Sequence, residues 1–156
     1  MNLHILAVAV LCLTGVYAVW SDVRRRRLPN ILCLVVAVLG AAVTYYWGGL
    51  ALTGSGLIHG LAALIVGMLL FSAGIVGGGD AKYYAATAVW FPLDKAGLLL
   101  LHVSVVGLVL ILFWFFWRRL RGIKATKMAV TDADKFPYGV AIALGAFAMA
   151  LSVQTH

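Results

Sequence analysis

Charged residues punctuate this chain rather than alternate along it. Stretches without Asp, Lys or Arg cover Met1–Ser21, Leu28–Gly79, Tyr83–Leu93, Ala96–Trp117 and Phe136–His156. A helix crossing a hydrocarbon core of about 30 Å needs about 20 apolar residues, so the first, fourth and fifth stretches each hold one span. Leu28–Gly79 is 52 residues long and must hold two, divided near Gly48–Gly56, where Gly, Thr and Ser cluster. The pattern predicts helices over Leu3–Trp20, Ile31–Trp47, Leu57–Val76, Asp80–Phe91, Ala96–Trp117 and Tyr138–Val153. The fourth rises only about 18 Å. A segment that short needs protein around it, in a re-entrant or thinned region, rather than lipid.

Composition narrows the class. Of the 156 residues, 64% are hydrophobic and 11% charged, with 12 Lys+Arg, five Asp and no Glu. So few charges cannot coat a soluble globule of this size, where about 25% is usual, and so apolar a chain has no reason to stay disordered. The fold class is all-α: a polytopic membrane protein of about six transmembrane helices, forming a single domain over residues 1–156. If the fourth helix crosses, Arg24–Arg27, Lys82 and the Arg118–Lys135 loop share one side, placing 11 of the 12 basic residues there and only Lys95 opposite. The positive-inside bias then puts both termini outside. It also accounts for the net charge of +7 without nucleic acid, through topology and lipid headgroups. The first apolar run has no basic residue before it and four arginines after it, the arrangement of a retained helix rather than a cleaved leader. Cys12 and Cys33 lie singly in apolar helices and read as inert buried thiols.

The five acids can be weighed one by one. Asp94, in the turn Phe91-Pro92-Leu93-Asp94-Lys95, reads as a solvated loop residue. Asp132 and Asp134 form a D-x-D pair that can take a divalent metal, but two carboxylates in a polar loop read as a cap or solvated loop, and no metal is expected. Asp22 and Asp80 fall at the membrane boundary on the same side, and a carboxylate there marks a candidate functional site. The structural alternative is a pair of interfacial salt bridges, Asp22 with Arg24–Arg27 and Asp80 with Lys82. Gly77-Gly78-Gly79 precedes Asp80. Each Gly costs about 1 kcal/mol in a helix interior, so the triplet suits backbone shapes closed to other residues, or close approach of an extended peptide. Pro29 resists continuation of the first helix, and Asn30 is a good N-cap for the second.

These residues carry a resemblance. Gly77-x-Gly79-Asp80 resembles the GxGD signature of intramembrane-type aspartyl peptidases. Asp22, followed by Arg24–Arg27 and Leu28-Pro29-Asn30, resembles the D-x-(basic)-x-(aliphatic)-P-N segment of type IV prepilin peptidases. The stretch Lys135-Phe136-Pro137-Tyr138-Gly139-Val140 resembles the P-[YF]-G segment opening that family's last helix. The three motifs stand in the family's order and span nearly the whole chain. Without paired CxxC motifs the chain is similar to the family's short form, and Pro-Tyr-Gly-Val-Ala-Ile favours the tight-adherence (CpaA/TadV-like, Flp pilus) branch. No methyltransferase domain is expected.

The resemblance implies that Asp22 and Asp80 are a catalytic dyad, cleaving the leader of a prepilin or pseudopilin at the cytoplasmic face of the inner membrane, without a cofactor. Gly77, Gly78, Gly79, Lys82 and Arg24 are the substrate-binding candidates, the two cations for an acid near the cut. Two carboxylates sharing a site do not both ionise easily. Asp80 opens a helix and Asp22 closes one, which by the helix dipole makes Asp80 the base and Asp22 the acid. Gly60, Ala63, Gly67 and Gly107 are small residues able to receive a substrate helix, or to pack helices internally. His59 and His102 read as interfacial or packing residues. The alternative is a non-enzymatic membrane subunit or small carrier with a broken helix at Gly77–Gly79.

Overall fold

The computed structural model describes residues 3–25, 28–120 and 138–153, and among these every regular element is helical. They are α1 (Leu3–Arg25), α2 (Asn30–Ser72), α3 (Gly78–Ala88), a 3-10 turn (Leu93–Lys95), α4 (Ala96–Leu120) and α5 (Tyr138–Val153). Three helices are long and apolar enough to cross a membrane, at Ile5–Asp22, Asn30–Ser72 and Leu93–Trp117, rather than the six expected. The difference lies in α2, which joins two expected spans, and in α3 and α5, which have 11 and 16 residues.

α2 is not straight. Gly48 (φ −144°, ψ 16°) and Gly49 (φ 59°, ψ −153°) leave helical geometry inside it. Thr44 Oγ1 lies 3.5 Å from Thr53 Oγ1, whereas nine residues of straight helix would separate them by about 13.5 Å. The element is therefore a hairpin of two arms, 30–47 and 50–72. Its turn uses only the first two residues of the expected Gly48–Gly56 divider. Gly54, Ser55 and Gly56 are helical.

The second arm also stops sooner than Val76. Gly74 takes φ +73°, its N–H donates to Phe71 O (2.9 Å), and the Ile75 N–H donates to Leu70 O (3.0 Å). That pair of bonds around a left-handed glycine is the Schellman stop.

α3 fills the fork of the hairpin. Trp90, just beyond its end, donates Nε1–H to Val36 O on the first arm (2.9 Å). On the second arm a Cβ at Gly67 would stand 2.9 Å from Ala81 Cβ, and one at Gly60 would stand 2.6 Å from Val89 Cγ2. A Cβ at Gly107 would meet Tyr138 and Ala141 at 3.4–3.5 Å. Gly60, Gly67 and Gly107 thus bring helices of this chain together, the internal of the two readings. The core joins α1, the first arm, α3, α4 and α5 around Leu11, Val36, Tyr83, Leu99, Ile142 and Met149. This packing gathers the ends of α1, the start of α2, the start of α3 and the start of α5 at one end of the bundle.

Candidate active site at one end of the bundle

Asp22 lies in the last turn of α1 and is buried. Across the bundle, the Gly139 N–H donates to Asp22 Oδ2 at 3.0 Å. Gly139 is the second residue of α5, so its N–H has no acceptor within its own helix. The carboxylate therefore stands at the positive end of α5. The dipole comparison missed this because it weighed each Asp only against its own helix.

Asp80 is half-buried in the first turn of α3. Its carboxylate folds back over Gly77, where an added Cβ would lie 2.6 Å from Asp80 Oδ2. Asp80 and Asp22 lie near enough for the charge of one to act on the other. Leu28 joins the two acids' surroundings. A Cβ at Gly139 would stand 3.3 Å from Leu28 Cδ1, and one at Gly79 would stand 3.6 Å from Leu28 Cβ.

The glycine triplet works by space rather than by unusual angles. Gly77 caps α3 with φ −72°, ψ 139°, open to any residue, and Gly78 and Gly79 are helical. A Cβ at Gly78 would press on the Phe71 ring at 3.2 Å. Lys82 is exposed and donates Nζ–H to Asn30 Oδ1 at 3.3 Å, rather than pairing with Asp80. Asn30 is thereby used as an acceptor and does not cap α2, whose N-cap position is Pro29 with no side-chain cap bond. Arg24 is exposed, its guanidinium 6.0 Å from the centroid of the Trp20 ring. The expected Lys95 side holds an exposed ion pair with Asp94 at 3.7 Å. Asp132, Asp134 and Arg26–Arg27 lie outside the described residues. Among the described residues no three His, Cys, Asp or Glu gather as a metal set.

A groove of about 500 Å³ leads away from Asp80 between the second arm of α2 and α4. Val66 and Leu70 line one side, Gly97, Leu100 and Ser104 the other, and Tyr138 and Ile142 of α5 lie along its floor. His59 lines it too, buried, with Nδ1 2.9 Å from Phe91 O, so the packing expectation for His59 holds. The groove was not visible in the sequence, because its walls are apolar residues indistinguishable by type from lipid-facing ones.

A buried acid on a helix N-terminus, a second acid folded over a glycine cap, and an apolar groove beginning at the second acid form an arrangement that can work on a peptide bond near a membrane. Comparison with known proteins points the same way. A family model described as the type IV leader peptidase family matches residues 9–112. No curated protein and no solved structure matches the chain. The matched stretch contains Asp22, Asp80 and the groove wall of α2, and it covers two thirds of the sequence: the chain belongs to the type IV leader peptidase family.

Proposed function

We propose that the chain is an aspartyl endopeptidase that removes the leader of a type IV prepilin or pseudopilin at the cytoplasmic face of the inner membrane. The observation that carries this reading is the placement of Asp22 and Asp80 at one end of the bundle, close enough for the charge of one to act on the other. Membership of a peptidase family displaces the carrier reading of the interrupted helix.

The environments of the two acids divide the roles, in the opposite sense to the dipole expectation. Asp22, facing the Gly139 N–H, is the ionised partner and the base. Asp80, half-buried beside the charge of Asp22, is the acid. Asp22 takes a proton from water, whose oxygen attacks the scissile carbonyl carbon. Asp80 gives its proton to the carbonyl oxygen. Collapse of the tetrahedral intermediate breaks the C–N bond, with a proton passing to the departing amine.

In the bilayer the two arms of α2 cross separately, and α3 crosses inside the fork, shielded by its neighbours. Six passes result, with both termini outside and Arg24, Lys82 and the 118–135 loop on the cytoplasmic side with the acids. The groove takes the apolar helix that follows the cleaved leader, entering sideways between the second arm and α4. Gly77–Gly79 receives the extended peptide at the cut, and Arg24 or Lys82 meets an acid just beyond it. The chain forms one membrane domain, as in the tight-adherence branch.

Co-expression with each prepilin of the same organism tests the activity. The expected result is a leader-sized mobility shift and an unmethylated mature N-terminus by mass spectrometry. Failure to cut any of them overturns the reading. The groove has its own test, because Gly97 lines it and an added Cβ there meets nothing within 4 Å. Gly97→Phe should raise KM for prepilin about tenfold in proteoliposomes with kcat little changed, the mark of lost substrate binding. An unchanged KM would remove the groove from the reading.

A further inference from the structure

The function above uses Asp22 and Asp80 but leaves unexplained why α5 presents a glycine to Asp22. Its conformation gives no reason, since Gly139 has none of the left-handed backbone found at Gly49 and Gly74. Its surroundings do. A Cβ at 139 would stand 2.8 Å from Asp22 Oδ2, 3.2 Å from Asp22 Cγ and 3.3 Å from Leu28 Cδ1. The first contact is closer than real Cβ atoms come, and the hydrogen bond of 3.0 Å exists only because the position is bare.

We propose that Gly139 is a positioning residue for the reaction: its bare backbone lets the N–H reach Asp22 and hold that carboxylate charged and aimed as the base. The assignment rests on the peptidase reading above. The N–H of a second helical residue is free of its own helix, so donating it to Asp22 sacrifices no helical bond. A hydrogen bond from such a donor to a charged acceptor is stronger than one between neutral groups. The charged groups around Asp22 include Asp80 on α3, near enough for charge to act between the two, and Arg24 stands two residues along α1 with its guanidinium by Trp20. On α5, the neighbouring Tyr138 turns its hydroxyl toward Gly107 of α4. Gly139 thus supplies from α5 a donor that favours the charged form of Asp22.

Two variants of the full chain in proteoliposomes test this, with prepilin as substrate. Gly139→Ala pushes the carboxylate off the amide. Replacing the Gly139 residue by glycolic acid, so that an ester oxygen stands where the N–H was, removes the donor and adds no atom. Both should lower kcat at neutral pH about 30-fold with KM within twofold, and both should move the acid limb of the kcat/KM profile up by about one pH unit. The sign follows from the base: without its donor, Asp22 holds its proton to higher pH. Gly15→Ala is the control, a methyl added to the same α1–α5 crossing, where its nearest neighbour is Ala143 Cβ at 3.4 Å. It should leave the pH profile in place. An ester variant with a wild-type acid limb overturns the proposal while wild-type cleavage keeps the peptidase reading. A wild-type chain that cuts no prepilin overturns both.

Discussion

Asp22→Asn and Asp80→Asn should each lower leader cleavage by about 10³-fold or more, while Asp94→Asn cleaves normally. General acid or base action by one positioned side chain contributes about 10²–10⁴-fold, and neither acid can replace the other when one must hold a proton and the other must not. Asn keeps the shape of Asp, so loss of folding is not the expected cause. Asp80→Asn removes a half-buried ionisable group beside Asp22 and puts a neutral group of the same shape in its place. Asp80→Asn should therefore match or exceed wild-type thermal stability in detergent while losing activity. The measurement pairs prepilin mobility and product mass with a melting curve. A variant that loses stability and activity together would indicate a structural role instead. Cleavage that survives either substitution would dismiss the dyad.

The largest effect on stability is expected at Gly56. A Cβ there would run into the backbone carbonyl oxygen of Val89, where α3 gives way to the turn before Pro92. A backbone atom cannot swing aside as a side chain does, so Gly56→Val should cost about 3 kcal/mol, the upper part of the range for overpacking. Gly54, two residues away in the same arm, faces nothing within 4 Å. Gly54→Ala should gain up to about 1 kcal/mol, the ordinary preference of a helix for Ala. Unfolding curves in one detergent compare the two directly. Equal effects would mean that the arm and α3 do not meet as described.

The contrast between these glycines marks what the sequence could reveal. Apolar runs located the helical stretches but not all their ends: the second arm of α2 begins seven residues before the expected Leu57, and α1 runs five residues past Trp20. Asp22 and Asp80 stood out because acids are scarce and both fell at the ends of those runs. The hairpin in α2 was foreseen as two spans, but not the residues that turn it. Gly48 and Gly49 look no different in type from Gly54 and Gly56, which stay helical. The early stop at Gly74 was missed for the same reason: a left-handed glycine is a matter of angles, not identity. Asn30 was assigned by propensity to a cap, and Lys82, 52 positions away, claims its side chain instead. The partner of Asp22 was hidden for a simpler reason. A backbone N–H belongs to every residue but proline, so no letter at position 139 announces a donor.

That donor also sets an order of events. The hydrogen bond to Asp22 joins residues 117 positions apart, whereas α3, which carries Asp80, directly follows α2 in the chain. A chain emerging from the ribosome can close the α2 hairpin over α3 while residue 139 is still unmade. Until α5 is synthesised the amide that meets Asp22 does not exist, so this contact is among the last the chain can make.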